Sequence, residues 1–177
     1  VEVGMFSPNA WGFYDMIGNV KEWVIDWYGN YPSSSITDPS GVENGTEKVL
    51  RGGGYGNGTV RYLRTAFRSK LSPSTRGTGE GFRLALQKVP HVVELNSTVA
   101  LEMIWVQPGT FTMGQNDISY ASPEHNVTLT RGFFLGKYEV TQAQYEAVMT
   151  GNTDGYNATP GNWPNNPNRP VEKVSWE

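Results

Sequence analysis

The sequence predicts an α+β fold that is rich in loops, with short antiparallel strands and few helices. Gly and Pro are abundant, at 21 and 11 of 177 residues, so the chain turns often. The 6 Trp and 9 Tyr supply large aromatic groups for packing between those turns. Strand-like apolar runs are short, and only one segment carries a complete helix-start signal.

Composition excludes several classes of function. The 14 basic and 17 acidic residues give a net charge of −3, so no overall positive field attracts nucleic acid. No apolar run approaches the roughly 20 residues of a membrane-spanning helix. The chain has no cysteine, which rules out disulfides, thiolate metal ligands and thiol nucleophiles.

The first half of the chain is predicted to place an irregular, buried aromatic segment before two strands. Aromatic and aliphatic residues crowd residues 10–28, and residues 32–45 have the composition of a surface loop. Residues 48–51 read as a short strand, followed by a tight turn at the Gly52-Gly53-Gly54 run. Residues 81–86 read as a closing strand.

The second half is predicted to begin with a linker and to contain one helix. Residues 89–99 lack periodicity, which suits a linker. Residues 103–106 and 110–113 flank a Pro-Gly pair and predict a hairpin; residues 126–130 and 133–140 are strand-like. Thr141 and Gln144 form a capping box, with Val140 placed to pack on Tyr145, so a helix should run to Met149. Residues 152–170 should be loop.

Three motifs in the first half resemble the C-terminal half of the formylglycine-generating enzyme (sulfatase-modifying factor) family: WGFYDMIGNVKEWV (residues 11–24), VLRGG (49–53) and GFR (81–83). The second half is similar to the N-terminal half of that family, through MIWV (103–106), PGTFTMG (108–114), YEVT (138–141) and PVEKVSW (170–176). The resemblance therefore covers nearly the whole chain, in swapped order.

The resemblance implies a C-type-lectin-like fold and a particular domain organisation. Residues 1–88 would be the C-terminal half of one domain, 89–99 a linker, and 100–177 the N-terminal half of a second domain, with the fold incomplete at both ends. The family's middle segment is absent. Two arrangements stay open: a window across two tandem domains, which we favour, or two halves that pair as a permuted single domain.

In the family, a pair of cysteines after the Arg-Gly-Gly motif holds copper and oxidises a substrate cysteine to formylglycine. Here the corresponding residues 54–64 contain no cysteine. Cu(I) requires soft sulfur ligands, so no copper and no formylglycine-generating activity are expected, and no catalytic residue is assigned.

The resemblance also implies a calcium site. Its ligands would be the side chains of Asp15 and Glu22, the backbone oxygens of Gly18 and Val20, and Glu139 if the two halves meet. Closely spaced hard oxygen donors in a turn suit Ca²⁺. The alternative is that these carboxylates are solvated or cap local amides.

Other candidate binding residues are arginines and aromatic rings. Arg51, Arg64 and Arg68 could bind an anionic ligand, although internal pairing with Asp26, Asp38, Glu43 or Glu80 is the expectation we favour. The cluster of Trp11, Trp23, Trp27 and Tyr28 could bind carbohydrate or peptide, but a buried core is favoured. His91 and His125 stand alone and are expected at the surface or in the linker.

Two functions follow from the sequence. The first is a noncatalytic binding or structural module, in tandem copies displayed outside a bacterial cell, with a protein, peptide or carbohydrate ligand. The second is a fragment of a formylglycine-generating-type oxidoreductase whose catalytic residues lie outside this chain. The scaffold alone does not decide between them.

Overall fold

The protein is mostly β, with one α-helix and a large share of ordered loop, in a computed structural model that describes residues 1–87, 92–119 and 121–177. The strands, in chain order, are β1 (Lys21–Trp27), β2 (Ile36–Thr37), β3 (Lys48–Arg51), β4 (Ser69–Leu71), β5 (Glu80–Gly81), β6 (Ala85–Leu86), β7 (Val92–Glu94), β8 (Ala100–Val106), β9 (Gly109–Met113), β10 (His125–Leu129) and β11 (Phe133–Gly136). A short 3₁₀ turn spans Val60–Leu63, and helix α1 spans Gln142–Met149.

One sheet belongs entirely to the first half of the chain. Its strand order is β4-β3-β1-β5, and only the β1–β5 pair is parallel. In β1 the Trp23 side chain is buried while Ile25, two residues later, is exposed at a register irregularity. Leu50 of β3, opposite Trp23, is fully buried, so this pair anchors the sheet.

Two further sheets join the halves of the chain. In the order β2-β10-β9, the first-half strand β2 pairs in parallel with β10. In the order β6-β11-β8-β7, the first-half strand β6 pairs antiparallel with β11. The indole Nε1 of Trp23 also donates to the carbonyl of Val174, at 3.1 Å. The two halves therefore pack against each other, which the sequence left open.

The predicted helix is confirmed with its cap. The hydroxyl of Thr141 accepts from the backbone N–H of Gln144, and the Gln144 side chain accepts from the N–H of Thr141. Val140 lies in a core cluster with Val171 and Val174, and Tyr145 packs against that cluster. The cap and the apolar contact at the helix start were both readable from adjacent residues.

The predicted hairpin between residues 103–106 and 110–113 is wrong. Both segments are strands, β8 and β9, but they enter different sheets: β8 pairs with β7 and β11, and β9 pairs with β10. Hydroxyl contacts such as Thr110 to Thr128, at 2.8 Å, accompany the actual β9–β10 pairing. A Pro-Gly turn marks a change of direction without specifying which strand is the partner.

Other predicted segments are shorter or differently placed. Strand β3 has the predicted bounds. The single strand predicted over residues 81–86 is replaced by two short strands, β5 and β6, which lie at the edges of two different sheets. The predicted irregular segment 10–28 contains the regular strand β1. Within it Trp11 is exposed, contrary to the favoured buried reading, whereas Trp23 is buried. Residues 92–94 of the predicted linker form β7, and residues 89–91 lie outside the described residues.

Within the described residues, no helix has the length and hydropathy needed to cross a bilayer.

Candidate functional site

The loop that precedes β1 curls tightly. Asp15, Gly18 and Asn19 have φ values of 51°, 96° and 54°, the left-handed region that Gly and Asn adopt most readily. The Asp15 carboxylate accepts a hydrogen bond from the backbone N–H of Gly4 at 2.7 Å. The backbone therefore changes direction sharply between residues 15 and 19.

Glu139, from the second half of the chain, enters this loop. Its residue surface is 0% exposed, and one carboxylate oxygen accepts from the backbone N–H of Val20 at 3.1 Å. The other oxygen accepts from the side-chain amide of Asn19 at 2.7 Å. The structure thus brings Glu139 to the Asp15–Glu22 segment, which the sequence made conditional on the halves meeting.

Burial dominates the electrostatics of this carboxyl group. Desolvation by burial, with the negative charges of Glu22 and Asp15, raises the pKa of Glu139 to about 9, against the opposing effects of the Val20 hydrogen bond and the Arg83 charge. No Lys or Arg of the described residues lies within ion-pair distance of Glu139. Three carboxyl groups from two halves of the chain are therefore electrostatically coupled here.

Arg83 holds the neighbouring carboxylate. Its guanidinium donates to both oxygens of Glu22, at distances of 2.7 to 3.1 Å, and to the carbonyls of Gly136, Lys137 and Tyr14. The Arg83 side chain is only 1% exposed. Sequence reasoning placed Arg83 in the GFR motif and did not identify Glu22 as its partner; its five donors join both halves of the chain at this loop.

The donor chemistry of this cluster suits a hard cation. The available groups are carboxylate and carbonyl oxygens, which Ca²⁺ prefers. In residues 1–87, 92–119 and 121–177, no group of three or more His, Asp or Glu side chains is close enough to hold a metal by itself. A calcium site here would therefore need backbone oxygens, as predicted for Gly18 and Val20, and Glu22 would be shared with Arg83.

The three candidate anion-binding arginines lie in different environments. Arg51 donates to the carbonyls of residues 65–67 and to the Tyr31 hydroxyl. Arg68 is buried, with its guanidinium 3.8 Å from the centroid of the Tyr31 ring. Arg64 is exposed, and its guanidinium lies 3.4 Å from the carboxylate of the exposed Asp117. Within the part of the chain that the structure describes, none of the four acids expected to pair with these arginines lies within ion-pair distance of them.

One of the two histidines, His125, is not at the surface or in the linker as expected. His125 is buried rather than at the surface, with its ring 4.9 Å from that of Tyr31 and its Nδ1 at 3.0 Å from the carbonyl of Pro123. The period-two pattern of β10 places it on the inner face with Val127. His91 lies outside the described residues.

The model of the family described as the sulfatase-modifying factor enzyme 1-like domain matches residues 1–88 and, again, residues 90–177. The chain belongs to this family. The formylglycine-generating enzyme of Mus musculus is 37% identical over 92 residues, covering 50% of this chain and 24% of that protein. The one of Thermomonospora curvata is 35% identical over 91 residues, covering 47% and 30%.

Relatives with other names share the same similarity. The serine/threonine-protein kinase pkn1 of Chlamydia pneumoniae is 38% identical over 84 residues, covering 45% of this chain and 13% of that protein. Treponema denticola variable protein 1, a solved structure, is 36% identical with a TM-score of 0.42, covering 45% of this chain and 29% of the other. Alignments with these curated relatives span from 13% to 30% of the relatives' length.

In this sulfatase-modifying-factor-type chain, the stretch that follows the Arg-Gly-Gly motif is a glycine-rich turn. The side chain of Asn57 accepts from the backbone N–H of Gly54 at 2.7 Å, and the 3₁₀ turn Val60–Leu63 follows. Nothing in residues 54–64 provides a thiol, because the chain contains no cysteine. Asn57 therefore has a local structural role at this turn.

Proposed function

We propose that this chain is a noncatalytic binding or structural module of the sulfatase-modifying factor family, stabilised by calcium at its residue 15–22 loop. The observation that carries the first part is the absence of any cysteine from the chain, including residues 54–64 where the family resemblance places the catalytic thiols. These residues contain no thiolate to bind the soft metal through which the family oxidises a substrate cysteine.

Relatives named for different activities support a module that is used in several ways. The matched relatives include proteins named formylglycine-generating enzyme, serine/threonine-protein kinase pkn1 and chaperone protein LppX. Because function resides in sites rather than scaffolds, the shared domain does not bring the oxidase activity with it. The ligand we propose is a protein, peptide or carbohydrate bound outside the cell.

Four relatives named formylglycine-generating enzyme favour a second candidate, a portion of such an oxidoreductase whose catalytic residues lie elsewhere. The two candidates differ in one assay. The whole protein in which this chain occurs, incubated with Cu(I) and a cysteine-containing sulfatase peptide, should form no aldehyde by mass spectrometry, whereas the second candidate predicts that it does. Aldehyde formation above the peptide-only control would refute the noncatalytic proposal.

The calcium proposal draws support from the contact of Glu139 with Val20 and from the electrostatic effect of Glu22 and Asp15 on the Glu139 carboxyl group. These carboxylates, with the carbonyls of Gly18 and Val20, would hold the ion. Bound Ca²⁺ would favour the ionised form of the Glu139 carboxyl group beside Glu22 and Asp15 and tie the second half of the chain to the first. Its chemistry would be structural, so copper is not expected to substitute for it.

Thermal unfolding in calcium and in chelator tests this proposal. At a free concentration of one hundred times Kd, a ligand specific for the folded state stabilises by about 2.7 kcal/mol, which is a shift of several degrees in Tm. Glu139→Gln keeps the shape and removes a carboxyl group that can ionise to bind the ion, so the calcium-dependent shift should fall. Glu146→Gln, at an exposed position of α1, should retain the full shift. A wild-type Tm that is the same in calcium and in chelator would remove the calcium site.

The finer architecture belongs to the same proposal. We propose a C-type-lectin-like arrangement, with residues 1–88 and 100–177 as halves of sulfatase-modifying-factor-type domains, residues 89–99 as the linker and tandem copies on a bacterial surface. The two separate family matches, 1–88 and 90–177, support this division. Surface proteolysis of intact producing cells tests the location, with protection of the chain as the contrary result.

A further inference from the structure

A large concave surface lies between the two halves of the chain. The cavity has a volume of about 990 Å³, at the upper end of the range for small-molecule sites. First-half residues such as Trp11 and Leu63 line one side, and second-half residues such as Trp105 and Leu135 line the other. None of these four is among the residues of the proposed calcium site.

The lining is mostly apolar and includes aromatic rings that are open to solvent. Trp11 is 76% exposed, Phe6 69% and Trp105 41%. Isolated exposed apolar residues are ordinary, but large rings gathered around one cavity mark a surface that another molecule covers. Their flat faces suit an aromatic or similarly planar apolar body.

The charges of the cavity favour an anion. Arg51 and Arg64 line it, and Asp15 is the one acidic residue among its lining residues. Arg51 has hydrogen bonds only to neutral acceptors, and no carboxylate of the described residues is within ion-pair distance of it. The Asp15 carboxylate accepts a hydrogen bond from the N–H of Gly4.

Arg64 is the group that can reach a ligand. Its side chain is 46% exposed, and its contact with the 64% exposed Asp117 is long, at 3.4 Å. Such a surface pair contributes little, so Arg64 can turn to another carboxylate at small cost. A guanidinium binds carboxylate and sulfonate oxygens through two parallel hydrogen bonds.

From these features we infer that the cavity binds a small organic anion with an aromatic body, the rings contacting Trp11 and Trp105 and the acid group meeting Arg64. This inference rests on the proposed binding function and deepens it by naming the ligand class. The apolar walls supply most of the affinity, and Arg64 supplies the preference for negative charge.

Three probes of one shape test the charge preference: naphthoate, naphthalenemethanol and naphthylmethylammonium, titrated calorimetrically into the whole chain. Naphthoate should bind about tenfold more tightly than the alcohol, and the ammonium more weakly still. Arg64→Gln should reduce naphthoate to the level of the alcohol. Arg61→Gln, also exposed but not lining the cavity, is the matched control and should change nothing.

A second variant tests the aromatic contact. Trp11→Ala should weaken naphthoate and the alcohol alike, by about tenfold, because it removes ring contact without changing charge. Trp11 is exposed, so the variant should keep the wild-type Tm.

Three results would overturn the inference: equal affinity for the three probes, an equal effect of Arg61→Gln and Arg64→Gln, or no binding at millimolar naphthoate. Failure of the proposed function is distinguishable, because the aldehyde and calcium assays use no naphthalene probe. Binding of the alcohol without charge preference would leave a binding module and remove only the anion assignment.

Discussion

Arg83 provides the most direct test of how the two halves of the chain are held together. Replacing it with methionine keeps an unbranched apolar stem and removes the guanidinium. The change strands the Glu22 carboxylate, whose side chain is only 15% exposed, and removes the donor to the carbonyls of Tyr14, Gly136 and Lys137. Two of those carbonyls belong to the second half of the chain.

The expected loss follows from these contacts. Removing one partner of a buried ion pair typically costs about 3–5 kcal/mol, because an uncompensated charge stays buried. Each carbonyl left without a donor adds to the cost in proportion to how little water reaches it. We therefore expect Arg83→Met to lower the free energy of unfolding by about 3–5 kcal/mol, a large fraction of the 5–15 kcal/mol typical of a domain.

Urea denaturation followed by tryptophan fluorescence, in chelator, measures this loss without a metal contribution. Arg76→Met is the control, since Arg76 is exposed, its guanidinium donates to the hydroxyl of Ser175 at a distance of 3.4 Å, and it belongs to no ion pair of the described residues. The double variant Arg83→Met with Glu22→Gln should recover part of the loss, because the stranded charge is gone. A loss below 1 kcal/mol, or no recovery in the double variant, would refute the role given to this ion pair.

Two other predictions address a loop and a pH response. Gly114→Ala should lower the free energy of unfolding, measured by urea denaturation, by about 2–4 kcal/mol, since φ is +95° and the added carbon would lie 2.6 Å from the carbonyl oxygen of Ala121. Gly58→Ala, with open space around the added carbon, should leave the free energy of unfolding unchanged. Equal effects of the two substitutions would contradict this account. Hydrogen bonds from Thr130 lower the pKa of Asp38 below its usual 3.8, so this carboxylate stabilises the fold above pH 3.8 and the effect is lost as pH falls through the lowered value. The Tm difference between wild type and Asp38→Asn should shrink over that acid range, and a difference independent of pH would contradict the assignment.

Local sequence signals were sufficient for several elements. The capping box of Thr141 and Gln144 fixed the start of α1, because its hydrogen bonds join residues three apart. Strand β3 was found with its observed bounds, since its apolar run is flanked by turn-forming residues. The partners of β8 and β9 were missed, because alternation identifies a strand but carries no information about which distant strand pairs with it.

The sequence by itself determined the family, the loop-rich β character and the absence of a thiol, since these depend on residue identity, motif spacing and local backbone preference. Only the tertiary structure decided that Glu139 accepts a hydrogen bond from Val20, that Arg83 forms an ion pair with Glu22, and that Trp11 borders a cavity instead of the core. These outcomes depend on contacts between residues up to 119 positions apart, whose energies are set by burial after the whole chain has packed.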